Sequence, residues 1–193
     1  MDALEEAIGR HLDAGDFQAA ATEIVRGYGP EILGYLAALA RDEDRAHDVF
    51  SQCCEDLWRG LSEFRRQASA RTWVYKLAWH AWLRHERDAF RRRGQRLVTA
   101  ELSQLVAEVR STTALHLRSE AKNAVARLRD QLTPEEQSLL ILRVDRRLTW
   151  SEVASVISTP EDEVDAQALA KRFERVKAKL RRMAEEAGLL DKE

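Results

Sequence analysis

Only three prolines, at positions 30, 134 and 160, and eight glycines break up a chain otherwise rich in alanine, leucine, glutamate and arginine. Few segments of such a chain can form turns or sheet edges, and most favour helix. The apolar share of 45% is enough to build a packed core. No eighteen-residue apolar run is present, so no span is expected to cross a membrane. The start, MDALEEAIGRHLDAGD, is acidic and amphipathic and lacks a leader's basic head, so a cytoplasmic protein is expected. Adjacent Cys53 and Cys54 seldom bridge each other, and without matched histidines they form no zinc site. At least one of them reads as a small core residue.

Apolar periodicity divides the chain into helices. They are expected over 2–14, from Phe17 to Arg26, from Pro30 through Ala40, over 43–60 and over 70–93. Gly27, Gly29 and Pro30 read as a break, with Pro30 opening the next helix. Asp42 or Asp44 caps the 43–60 helix and Ser69 the 70–93 helix. Further helices fall at 119–131, 134–144, 150–158 and 164–186. Thr133-Pro134-Glu135-Glu136 and Thr149…Glu152 are start signals of the capping-box kind. Residues 94–118 carry Gly94 and Ser111-Thr112-Thr113 and read as a linker with one partly formed helix. The fold expected is all-α, with a first domain over 1–95, a linker over 96–118 and a second domain over 119–193.

A net charge of −2 conceals two basic segments. Between Phe64 and Arg96 ten basic residues face two acids, Glu86 and Asp88. Between Ala168 and Arg182 seven face Glu174 alone. Basic segments on an acidic background point to nucleic acid. Leu148–Leu180 has the layout of a helix-turn-helix: Val153, Ala154 and Ile157 face inward, and Leu169, Phe173, Val176 and Leu180 form the packing stripe of the second helix. Lys171, Arg172, Arg175 and Lys179 fall largely off that stripe, toward a major groove. Taken alone, the segment also fits a helical hairpin with a solvated basic face. Glu161, Asp162, Glu163 and Asp165 would repel phosphates and are expected to point away from DNA.

Phe64-Arg65-Arg66-Gln67-Ala68-Ser69-Ala70-Arg71-Thr72-Trp73-Val74-Tyr75-Lys76-Leu77-Ala78 resembles a stretch of the extracytoplasmic-function sigma factors of the sigma-70 family. Gly15-Asp16-Phe17, Tyr28-Gly29-Pro30 and Tyr35-Leu36 resemble their first helices. Leu132–Gln137 and Leu148–Ala154 resemble their second domain, so the resemblance covers about residues 12–183. It implies core RNA polymerase and promoter DNA as partners, no cofactor and no enzymatic activity. It places Arg71, Lys76, Trp79, His80, Arg84 and Arg87 at the minus-ten element, with loop 61–69 holding a flipped base. Lys171, Arg172, Arg175, Lys177 and Lys179 fall at the minus-thirty-five element, Arg172 and Arg175 as base readers and the lysines on phosphates. Trp73 reads as core, and His80 departs from the asparagine common at its position.

The resemblance puts core polymerase on Asp44, Asp48, Ser51, Gln52 and Glu55. Family members carry more acids there, whereas Arg45-Ala46-His47-Asp48-Val49-Phe50-Ser51-Gln52 keeps only Asp48. Relatives lacking these acids imply a serine/threonine kinase as activator, with Ser51 as the phosphorylated residue. The other reading is a plain surface serine, with docking constitutive or controlled by an anti-sigma factor. Two further functions remain open from the residues themselves: a helix-turn-helix regulator that is not a polymerase subunit, and a helical anti-sigma or adaptor protein.

Overall fold

The computed structural model describes residues 3–87, 100–120, 124–159 and 162–189, with 112–120 and 124–126 as backbone only. Among these residues every regular element is helical. They are α1 (Ala3–Asp13), α2 (Phe17–Ala40), α3 (Glu43–Gly60), a 3₁₀ turn (Leu61–Glu63), α4 (Ala70–Arg87), α5 (Ala100–Glu120), α6 (Ala124–Arg129), α7 (Pro134–Leu140) with a π-helical turn (Ile141–Asp145), α8 (Trp150–Ile157) and α9 (Ala166–Glu186). The chain divides into two compact units, Met1–Leu115 and His116–Glu193. The expected boundary at 95/96 lies outside the described residues.

In the first unit α2 is the central helix, packed by α1, α3 and α4. Its buried residues include Ile24, Val25, Ile32, Leu33, Tyr35, Leu36 and Leu39. The break expected at 27–30 does not occur: α2 runs unbroken through Pro30. Buried side chains on both sides of the proline outweigh its lost hydrogen bond. The two glycines serve close packing. A Cβ on Gly27 would lie 2.2 Å from Leu4 Cδ2 on α1, and one on Gly29 would lie 3.2 Å from Val109 on α5. Asp16 caps α2 and Asp42 caps α3, each through a backbone N–H three residues on.

The stretch expected as linker 96–118 contains α5, which belongs with the first unit at least to Leu115. Leu102, Leu105, Val106 and Val109 are buried, and an apolar face repeating every three to four residues is driven onto a core even where Ser and Thr lower helix propensity.

In the second unit α9 packs on α6, α7 and α8. Thr133 and Thr149 each close a full capping box, with Glu136 and Glu152. Leu169, Phe173 and Val176 are buried, Leu180 half-buried, and Phe173 meets Trp150 edge-on at 5.4 Å. The buried Gln137 donates to the Arg129 carbonyl (2.8 Å), and Arg129 forms a two-pronged pair with Asp145 (2.9 and 3.2 Å).

Candidate nucleic-acid and polymerase interface

Helix α4 is a two-faced element. Val74, Tyr75, Ala78, Trp79, Ala81 and Trp82 are buried. Lys76, His80, Arg84 and Arg87, spaced four, four and three apart, occupy the half-buried to exposed side. Arg84 is paired with Asp56 of α3. Arg71 is held by a two-pronged bond to Glu31 of α2, at 2.7 and 3.0 Å. The basic residues Arg91, Arg92, Arg93 and Arg96 lie outside the described residues.

Trp79 is only 2% exposed, so the stacking face expected of it is turned into the core. α4 lies against both α2 and α3, and Trp79 shares its buried stripe with Tyr75 and Trp82. Trp73, expected in the core, is half-buried and stacks on Phe64 at 4.6 Å and 21°. The stack ties Phe64, at the start of the loop that leads into α4, to the first turn of that helix. Ser69 caps the helix by accepting from the Thr72 N–H (3.0 Å), and Glu5 of α1 accepts from the Ala70 and Arg71 N–H groups (3.0 and 2.9 Å). Sequence reading missed Glu5. Its acid in the first turn of α1 looked like an ordinary complement to that helix's own dipole.

On α3, Asp44 and Asp48 are exposed and Ser51 and Gln52 half-buried. Glu55, expected to face polymerase, lies on the same side of α3 as Asp44, Asp48 and Ser51 but is only 2% exposed, with Arg59 3.5 Å from its carboxylate. The Ser51 hydroxyl donates to the His47 carbonyl (2.9 Å) and accepts from Arg110 of α5. Arg110 also donates to the His47 carbonyl. His47 titrates below its ordinary range, first because it is partly buried and then because Arg110 opposes a second positive charge. Cys53 and Cys54 are both buried and unbridged, and burial pushes both thiols up, away from reactive thiolate.

On α9, Lys171, Arg172 and Arg175 are exposed. Lys177 is paired with Glu174 (2.8 Å) and Lys179 with Glu136 of α7 (2.7 Å). Asp165, counted among the acids expected to repel phosphate, is the helix cap and accepts from the Ala168 N–H at 2.9 Å. Pro160 and Glu161 lie outside the described residues. Among the described residues, no helix is long and apolar enough to cross a membrane, and no group of three acids, histidines or cysteines could hold a metal ion.

Comparison with known proteins places this geometry. Residues 24–94, from α2 through the end of α4, match the sigma-70 region 2 family. The chain is similar to the RNA polymerase sigma-H factor of Pseudomonas aeruginosa, 27% identical over 143 residues, covering 71% of this chain and 74% of the relative. It is also similar to the RNA polymerase sigma factor YlaC of Bacillus subtilis, 26% identical over 160 residues, covering 79% and 87%. The matched stretch takes in both the α3 surface and the cationic side of α4, and these likenesses support a sigma-70 family sigma factor of the extracytoplasmic-function type.

Proposed function

We propose that this alternative sigma factor binds core RNA polymerase through α3, reads and opens the minus-ten element with α4 and the loop before it, and reads the minus-thirty-five element with α9. It would do so in the cytoplasm, where polymerase and promoter are. The observation that carries the reading is the stripe Lys76, His80, Arg84 and Arg87, which lies within the stretch matched to sigma-70 region 2. A cationic helix face beside a loop is what a displaced DNA strand requires, because phosphates need charge and unstacked bases need a site. With Trp79 buried, the bases are met by the half-buried to exposed side of α4 and by the loop residues.

In the second unit, α8 and α9 act as a helix-turn-helix. Phe173 and Val176 hold α9 down, leaving Arg172 and Arg175 for base edges and Lys171 and Lys177 for phosphates. Lys179 contributes through the fold, since it is tied to Glu136. Asp44, Asp48 and Gln52 supply the polymerase-docking surface, and Ser51 tunes it. Here the cation beside the hydroxyl favours phosphorylation by a serine/threonine kinase: Arg110 already bonds Ser51 Oγ and would pair with a phosphate adding about −1.5 to −2 charges. Transcription by core polymerase with Ser51→Ala and Ser51→Glu tests this. A phospho-switch predicts activity with Glu and none with Ala, whereas equal activity of Ser51→Ala and wild type removes it and leaves control to an anti-sigma factor.

A further inference from the structure

Helix α1 has no role on DNA or polymerase in the reading above, yet its polar side chains hold both ends of the loop before α4. At the loop's end, the Glu5 carboxylate receives the Ala70 N–H (3.0 Å), the Arg71 N–H (2.9 Å) and the Tyr28 hydroxyl (2.7 Å). At its start, Arg66 stands at φ +53°, a left-handed conformation that a side chain other than glycine adopts only where its surroundings hold it. Its guanidinium meets Asp13 (2.8 Å) and the Gly9 carbonyl (3.3 Å). Phe64, two residues earlier, is stacked on Trp73. Glu5 and Asp13 are eight residues apart, about 12 Å along a helix, so one rigid rod fixes both ends of the loop. Between those ends Gln67 is exposed, and Arg65, just before Arg66, is exposed too.

We infer that α1 is the positioning element of the base-capture loop, with Glu5 and Asp13 as positioning residues for promoter opening; this rests on the reading of α4 and its loop as the minus-ten reader. Neither carboxylate needs to touch DNA. A loop ordered in advance spares the captured base the cost of ordering it, and that saving is felt only where a base must leave the duplex stack. Glu5 also occupies the exposed N–H groups at the start of α4, so a backbone phosphate cannot settle there in place of the base.

The test uses holoenzyme assembled from core RNA polymerase and the full chain, on a promoter found by transcribing genomic fragments with the wild type. Each protein is assayed on the duplex promoter and on the same promoter premelted by mismatches across the minus-ten element. Glu5→Gln and Asp13→Asn are compared with wild type; Asp13 lies on the surface, so its variant keeps the fold even if Glu5→Gln does not. The expected result is a roughly tenfold loss on the duplex template, the scale of a lost positioning contact, with the premelted template within about twofold of wild type. An equal loss on both templates, or no loss with Asp13→Asn, overturns the proposal. If neither wild type nor Ser51→Glu yields a transcript from any genomic fragment despite binding core polymerase, the minus-ten reading is overturned and this proposal with it.

Discussion

Arg110 on α5 donates to Ser51 Oγ and to the His47 carbonyl on α3, so a helix from the stretch that reads as a linker is hydrogen-bonded to the helix proposed to meet polymerase. Arg110→Ala should loosen α5 at a cost of roughly 1.5–3 kcal/mol, the range for a hydrogen bond to a charged group. Amide hydrogen exchange over 100–111 measures it. Faster exchange there, with α2 unchanged, is the predicted outcome, and unchanged protection of α5 would contradict it. Gly29→Leu should act in the same direction by pushing on Val109.

The depressed titration of His47 gives a pH dependence of known sign. Its neutral form is favoured in the folded chain, so the unfolded chain binds more protons near the ordinary value of 6.5. The stability from neutral His47 is present above that value and lost as pH falls below it. Urea midpoints at pH 7.5 and 5.5 should therefore differ more for wild type than for His47→Gln. Equal differences would show that His47 is not held neutral by burial and Arg110.

The capping boxes should behave as independent units. Thr133→Ala and Thr149→Ala each remove a side-chain acceptor at a helix start and should cost about 1 kcal/mol. For a domain of this size that lowers Tm by roughly 4–8 °C. Losses below about 0.3 kcal/mol in both would contradict the assignment of these caps.

The α9 lysines and arginines should separate by their protein partners. Arg172→Ala and Arg175→Ala should weaken promoter binding by holoenzyme by about 1–3 kcal/mol and relax preference at the minus-thirty-five element. Lys171→Ala should weaken all sequences alike and reduce the salt slope by about one. Lys179→Ala should lower the thermal stability of the second unit, since it frees Glu136. Titrations at several salt concentrations distinguish these, and equal effects on all promoters from Arg172→Ala would exclude it as a reader.

Much of this was legible in the sequence. The caps at Asp42 (read as Asp42 or Asp44), Ser69, Thr133 and Thr149 are local, so their residue types announced the helix starts. The break expected at Gly27–Pro30 failed because those glycines answer to Leu4 and Val109, neighbours distant in sequence. Helix α5 was legible only as a partly formed helix in a linker, for the same reason: its apolar stripe only has meaning against α2 and α3. Trp79 looked like a stacking platform because aromatic residues among arginines suggest one, but which face of α4 is buried depends on α2 and α3. Glu5 carried no signal at all, since it caps a helix 65 residues away.

The central claim is that this chain confers promoter-specific initiation on polymerase. The direct measurement is run-off transcription with core RNA polymerase on DNA from upstream of its own gene and on genomic fragments, with wild type and Ser51→Glu in parallel. The account predicts a defined start site that appears only when one of these proteins is added, and its loss on Arg84→Ala or Arg87→Ala. Promoter binding as a dimer without polymerase, and no transcript with core polymerase bound or unbound, would contradict it.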